Sequence, residues 1–126
     1  MLSGQIPKGD VITAAQLTGI QAAKQTSQLL PLCHPLPEIA AIDVTISPDA
    51  ASGLVEIQSS VRAFGRTGVE MEALCAVVVA ALCVYDMCKG IDPAIEIGGI
   101  RLLEKRGGKR GLWRNPKAAK RKKSDG

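Results

Sequence analysis

Residues 39–64 read I-A-A-I-D-V-T-I-S-P-D-A-A-S-G-L-V-E-I-Q-S-S-V-R-A-F, and this stretch decides the fold. Apolar and polar residues alternate on both sides of a central segment, residues 47–53, that is rich in turn-forming residues. Alternation with a period of two is typical of a strand that buries one face. We therefore predict two strands, residues 39–46 and 54–64, that pair as an antiparallel hairpin.

A helix is predicted on each side of this hairpin. In residues 10–30 the apolar residues recur at helical spacing, Asp10 can cap the start, and Pro31 prevents continuation. Residues 69–89 predict a longer helix that stops at Gly90 and is apolar on nearly every side along its middle part. A helix of this composition is expected to be buried.

A last strand is predicted at residues 95–103, where two glycines interrupt an apolar stretch. The order is then helix, strand, strand, helix, strand. One more strand in front would give the ferredoxin-like βαββαβ pattern, an α+β fold in which an antiparallel sheet packs against two helices. Because only residues 1–7 precede the first helix, we expect the leading strand to be missing, very short or supplied by a neighbouring subunit.

Length and charge divide the chain into one domain and a tail. A chain of 126 residues fits a single hydrophobic core, which we assign to residues 1–112. Residues 1–104 hold 6 Lys/Arg against 11 Asp/Glu, a net charge of −5, whereas residues 105–126 carry +9. We expect residues 113–126 to be a basic, disordered tail.

Cysteine spacing and hydropathy limit the compartment. The four cysteines form no C-x-x-C pair, so neither a disulfide framework nor a zinc site is expected. The longest apolar run, residues 73–85, is shorter than the about 20 residues of a membrane span, and no signal-peptide pattern opens the chain. We therefore expect a cytoplasmic protein that does not bind a membrane.

Two stretches offer groups for proton transfer. His34 is the only histidine and lies in the proline-rich loop P-L-C-H-P-L-P, so it is either a general acid/base or a structural hydrogen-bonding residue. Asp86 and Lys89 lie three residues apart near the end of the second helix and can form an ion pair. Substantial burial there would lower the pKa of Lys89 and make it a usable acid or base.

Other stretches suggest anion binding. Residues 105–111, K-R-G-G-K-R-G, combine cations with glycines that allow close backbone approach to phosphate. Lys8 adds a cation just before the first helix. Glu70 and Glu72 occupy the first turn of the second helix, where spacing alone favours ordinary helix capping over a functional role.

Six segments resemble, in order, those of the cyclic pyranopterin monophosphate synthases, the molybdenum cofactor biosynthesis protein C family. They are K-G-D-V (8–11), G-I-Q-A-A-K (19–24), L-P-L-C-H-P-L (30–36), T-G-V-E-M-E-A-L (67–74), V-Y-D-M-C-K (84–89) and R-L-L-E-K-R-G-G-K-R-G (101–111). The resemblance spans residues 8–111. Members of this family usually carry a further segment in front, with a β-strand and basic residues, and this chain does not show it.

The resemblance implies a lyase that converts (8S)-3',8-cyclo-7,8-dihydroguanosine 5'-triphosphate to cyclic pyranopterin monophosphate and diphosphate. It implies no cofactor, no metal ion, and a homohexamer, a trimer of dimers, with active sites at the dimer interface. The catalytic positions that it implies are Asp86, Lys89, His34 and Lys8. The substrate-binding positions that it implies are Leu32, Cys33, His34, Glu70, Met71, Glu72, Lys105 and Lys109.

Two other functions compete with this one. A chain that lacks the leading segment could be a non-catalytic subunit of the oligomer. A ferredoxin-like nucleic-acid-binding module could use the basic tail electrostatically. This second alternative is weaker, because the predicted strands hold no aromatic residue for base stacking except Phe64 at a strand end. We expect no specific nucleic acid partner.

Overall fold

The computed structural model describes residues 10–35, 37–65, 68–107 and 111–117. Its elements are α1 (Val11–Lys24), α2 (Thr26–Leu29), β1 (Ile39–Asp49), β2 (Leu54–Ala63), α3 (Glu70–Cys88), β3 (Glu104–Lys105) and β4 (Trp113–Arg114). Strands β1 and β2 form one antiparallel sheet, and β3 and β4 form another. Because α1 and α3 pack on the β1–β2 sheet, the predicted α+β, ferredoxin-like class is confirmed.

The β1–β2 hairpin is antiparallel and buries the predicted face. Ile46 pairs with Ile57, and Val44 and Ile46 are buried while the neighbouring polar residues of β1 are exposed. The Asp49 carboxylate closes the turn by accepting from the Ala51 amide at 3.0 Å and the Ser52 hydroxyl at 3.0 Å. Strand β1 therefore extends three residues beyond its predicted end, up to this turn.

Helix α1 starts as predicted but ends earlier. The Asp10 carboxylate accepts hydrogen bonds from the amide and the hydroxyl of Thr13, which hold the pKa of Asp10 below its usual value. The helix is interrupted at Gln25, so the prediction of one continuous helix over residues 10–30 is wrong. The buried Thr26 hydroxyl donates to the carbonyls of Ala22 and Ala23 at 3.1 and 3.0 Å, and such a side-chain bond bends a helix.

Small residues bring α1 and α3 close together. A methyl group added at Gly19 would lie 3.0 Å from the Ala76 carbonyl oxygen and 3.3 Å from the Ala80 Cβ. The core then continues from this contact to Val44 of β1 and Val84 of α3. Glycine at position 19 is required because any larger side chain would push the two helices apart.

Helix α3 is only partly buried within this chain, so the prediction of a buried helix is correct for one side of it only. Its buried residues recur at every fourth position: Glu72, Ala76, Ala80, Val84 and Cys88. Leu82, on another side, is 53% exposed. By length and composition alone α3 could cross a membrane, but it packs along α1 and against β2, as the central helix of a folded domain does.

The strand predicted at residues 95–103 is not formed within the part of the chain that the structure describes. Ile95 packs against the core, but Ile97 and Ile100 are 40% and 41% exposed. In the ferredoxin-like pattern the last strand pairs with the first, and the described residues contain no strand before α1. Among the described residues, the segment 95–103 therefore has no strand before α1 with which to pair.

The start of the predicted tail takes part in structure. Trp113 pairs with Lys105 and Arg114 with Glu104 in the β3–β4 ladder, and the Asn115 amide donates to the Leu103 carbonyl at 2.8 Å. This ladder holds Lys105 in place. The remainder of the predicted tail, residues 118–126, lies outside the described residues.

Candidate active site

A histidine and a buried glutamate meet at the amino end of α3. The Nε2 of His34 lies 3.1 Å from the Oε2 of Glu72, whose side chain is completely buried while that of His34 is 32% exposed. His34 is presented by the turn in which the Cys33 amide donates to the Leu30 carbonyl at 3.0 Å. The carboxylate can therefore orient the imidazole, which is exposed enough to reach a substrate.

The second carboxylate oxygen of Glu72 is unusual. Oε1 is buried and has no hydrogen-bond partner among the described residues. Burying a carboxylate oxygen without a partner is unfavourable, and such an atom in a folded protein calls for an explanation. The Cys33 sulfur, the His34 ring and the Glu72 carboxylate lie together, with one ligand atom from each within 4.8 Å of the others.

A cation lies at the same end of α3. The Lys105 ammonium is 3.4 Å from the Oε2 of Glu70, in the first turn of α3. A methyl group added at Gly68 would lie 2.5 Å from that oxygen and 3.2 Å from the Lys105 nitrogen. Glycine at position 68 therefore leaves the space in which this ion pair forms, a role that was not predicted although the residue lies within the T-G-V-E-M-E segment.

Asp86 and Lys89 form the predicted ion pair at the other end of α3. The Lys89 nitrogen donates to the Asp86 carboxylate at 2.8 Å, and the two side chains are 52% and 60% exposed. The hydrogen bond and the charge of Asp86 raise the pKa of Lys89. A lowered pKa was expected for Lys89 only if its side chain were substantially buried. Lys89 is half exposed in this chain, so its pKa is not lowered.

The two groups of candidate residues do not meet within one chain. Glu72 and Asp86 are separated along α3 by about 21 Å, at about 1.5 Å per residue. The candidate residues therefore form two groups. The group at the amino end of α3 contains Cys33, His34, Glu70, Glu72 and Lys105, and the group at the carboxyl end contains Asp86 and Lys89. A single subunit carries two halves of the predicted site.

The other predicted site residues are less constrained. Met71 is half-buried in the first turn of α3, and Leu32 is fully exposed in the proline-rich loop. Lys8 and Lys109 lie outside the described residues.

A family model matches most of the chain. The model of the MoaC family covers residues 1–108. The chain belongs to the MoaC family. The resemblance seen in the motifs of this MoaC-family chain is therefore confirmed.

Curated relatives support the same family assignment. The cyclic pyranopterin monophosphate synthase of Chloroflexus aggregans is 50% identical over 119 residues, which cover 94% of this MoaC-family chain and 72% of the relative. The synthase of Pelotomaculum thermopropionicum is 53% identical over 113 residues, covering 90% and 66%. The molybdenum cofactor biosynthesis bifunctional protein of Synechococcus elongatus is 54% identical over 116 residues, covering 92% and 36%.

Proposed function

We propose that this chain is a cyclic pyranopterin monophosphate synthase of molybdenum cofactor biosynthesis. It is a lyase that converts (8S)-3',8-cyclo-7,8-dihydroguanosine 5'-triphosphate to cyclic pyranopterin monophosphate and releases diphosphate. The observation that carries the proposal is the His34–Glu72 pair at the amino end of α3, where Lys105 also contacts Glu70, because this end of the helix then supplies both a proton-transfer group and a cation. Relatives that are 50% and 53% identical bear this enzyme name.

The chemistry divides between the two ends of α3. Opening and re-closing a purine-derived ring requires proton donors and acceptors, a role that we assign to His34, held by Glu72, and to the Asp86–Lys89 pair. Loss of diphosphate develops negative charge, which Lys105 stabilises together with Lys8 and Lys109. In the chain alone, Lys105 is paired with Glu70, and a phosphate group would compete for the same ammonium.

Leu32, Cys33, Glu70 and Met71 complete the proposed substrate-binding positions. They belong to the loop before β1 and to the first turn of α3, the two segments that the His34–Glu72 contact joins. The proposed reaction needs no cofactor, because proton transfer and phosphate displacement are within the reach of these side chains.

A dimer would join the two halves of the site. We propose a homohexamer, a trimer of dimers, whose active sites combine residues of two subunits. The separation of about 21 Å along α3 supports this, because a twofold axis that sets two such helices antiparallel brings the amino end of one beside the carboxyl end of the other. Exposed apolar residues of α3 such as Leu82 would be covered by this contact.

We further propose that the enzyme is soluble and cytoplasmic, and that it binds neither a membrane nor a specific nucleic acid. The packing of α3 on α1 supports the first point, since this apolar helix already has protein partners. The acidic balance of residues 1–104 supports the second, since repulsion of phosphate would confine non-specific binding of nucleic acid to the basic tail.

Incubation with the cyclised dihydro-GTP tests the proposed function. The chain should release diphosphate and form a pterin product, with the His34→Ala variant as the inactive control. A version of the chain extended upstream is assayed beside it. If neither version turns over the substrate although both are folded, the enzyme proposal fails; if only the extended version does, the chain by itself is a non-catalytic subunit.

A further inference from the structure

Three side chains from two segments place different metal-ligand atoms together. The Cys33 sulfur, a ring nitrogen of His34 and a carboxylate oxygen of Glu72 all lie within 4.8 Å of one another. The carboxylate is fully buried, and its Oε1 has no hydrogen-bond partner among the described residues. A cation would give this oxygen a partner that the described residues do not provide.

The size of the cluster fits a tetrahedral ion. Zinc binds thiolate, imidazole and carboxylate at about 2.0–2.3 Å, which sets neighbouring ligand atoms about 3.3–3.7 Å apart. The His34–Glu72 contact of 3.1 Å needs only a small opening to reach this spacing. Magnesium and calcium prefer ligand sets made of oxygen alone, so a sulfur and a nitrogen ligand select against them.

We propose that Cys33, His34 and Glu72 form a binding site for a thiophilic divalent cation, best matched by zinc. Three protein ligands leave the fourth position open to water or to a substrate atom. On binding, the Cys33 thiol gives up its proton to solvent and the cation takes the imidazole lone pair. The bound ion also ties the proline-rich loop to α3, which stabilises the folded chain by linkage.

Occupancy of the site is inhibitory, a consequence that rests on the proposed function. An imidazole whose lone pair is bound to a cation cannot accept a proton from the substrate. Zinc therefore blocks the step that we assign to His34, and a chelator restores it.

Metal titration of the purified, chelator-treated full chain tests the site without any substrate. Zinc binding is measured by calorimetry, and cobalt is used as a probe, since thiolate ligation gives an intense near-ultraviolet charge-transfer band. The expected result is one ion per chain and a thiolate–cobalt band. Absence of binding by the folded wild-type chain would overturn the proposal.

Cysteine variants supply the matched comparison. Cys33→Ser should abolish the cobalt band and weaken zinc binding by at least about tenfold, because even changes behind the ligands lower metal affinity about 10- to 100-fold. Cys83→Ser is the control, since the Cys83 sulfur lies against Met87 and Thr18 rather than in the cluster. Equal binding by both variants would show that the ion is held elsewhere. Circular dichroism checks that each variant is folded.

The activity arm separates this inference from the proposed function. Zinc should inhibit wild-type turnover reversibly, at the same concentrations at which it binds. If zinc binds but turnover is unchanged, the metal site stands and the proton-transfer role of His34 is contradicted. If the chain shows no turnover under any condition, the binding data still decide the metal site.

Discussion

The imidazole of His34 and the carboxylate of Glu72 lie 3.1 Å apart although they are 38 residues apart in the sequence. This contact fixes the loop before β1 to the amino end of α3. The His34 side chain nevertheless stays 32% exposed. The first prediction follows from this pair.

Glu72→Gln should lower kcat strongly while the chain stays folded. The amide has the shape of the carboxylate but does not carry its charge, so it orients His34 less well and stabilises the imidazolium less. The loss in free energy of unfolding should stay within about 1–3 kcal/mol, the range for a disturbed buried hydrogen bond. Turnover and urea denaturation measure the two effects.

Glu56→Gln on the exposed face of β2 is the control for this change and should alter neither quantity. Full turnover by the Glu72→Gln variant would remove the carboxylate from the mechanism.

Lys89→Ala should abolish conversion of the cyclised dihydro-GTP and leave the oligomer unchanged in gel filtration. The side chain is half exposed and contacts Asp86, so its removal creates no cavity in the core. Lys24→Ala, another exposed lysine at a helix end, should keep full activity. Turnover by the Lys89→Ala variant would show that this ammonium takes no part in the reaction.

Mixing His34→Ala and Lys89→Ala chains should restore activity that neither has alone. If each site combines the amino end of one α3 with the carboxyl end of another, a mixed dimer has one intact site and one doubly altered site. Random exchange of subunits then gives about a quarter of wild-type turnover. No recovery after complete exchange, verified by mass spectrometry of tagged chains, would place both halves of the site in one subunit.

Gly19→Val should destabilise the chain by at least about 2 kcal/mol through overpacking between α1 and α3. An added methyl group at this position already lies 3.0 Å from the Ala76 carbonyl oxygen, which belongs to the backbone and cannot rotate away. Gly90→Ala, where no atom lies within 4 Å of the added carbon, is the comparison and should be nearly neutral. Chemical denaturation of both variants checks the difference; equal stabilities would contradict the tight contact.

Acid should remove the stabilisation that the Asp10 cap gives to α1. Hydrogen bonds from Thr13 hold the pKa of Asp10 below its ordinary value of 3.8, so the stabilising effect is complete above pH 3.8 and is lost as the pH falls through the lower, folded-state pKa. Asp10→Asn keeps a capping oxygen without the titration. The thermal midpoint of the wild type should therefore fall more than that of Asp10→Asn between pH 6 and pH 3; parallel curves would contradict the assignment.

Periodicity in the sequence was sufficient for the elements that fold on local signals. The hairpin and α3 were predicted to within a few residues, because alternation and helical spacing report directly which residues face the core. The break after Lys24 was not predicted, since it depends on a hydroxyl of Thr26 turned back to the preceding helical turn. The prediction of a strand at residues 95–103 was wrong for a different reason. A strand needs a neighbouring strand to pair with, and a pattern of apolar residues does not reveal whether one is present.

The site was predictable by residue type more than by geometry. Family motifs singled out His34 and Glu72, which contact each other, and Lys105, which contacts Glu70 at the same end of α3. Their convergence could not be read from the sequence, because it depends on how the loop before β1 meets α3. The distance between this cluster and Asp86 was likewise hidden, although the length of α3 would have given it once the helix was accepted.

Helix α3 carries Glu72 near its start and Asp86 near its end, so one rigid rod sets both the separation and the relative rotation of the two chemical groups. One residue inserted midway would turn the distal half by about 100° and lengthen the rod by about 1.5 Å. Both groups would then point in incompatible directions even if the core repacked around the change. Under the proposed mechanism the number of residues in this helix is a catalytic parameter, and we expect the segment to accept substitutions far more readily than insertions or deletions.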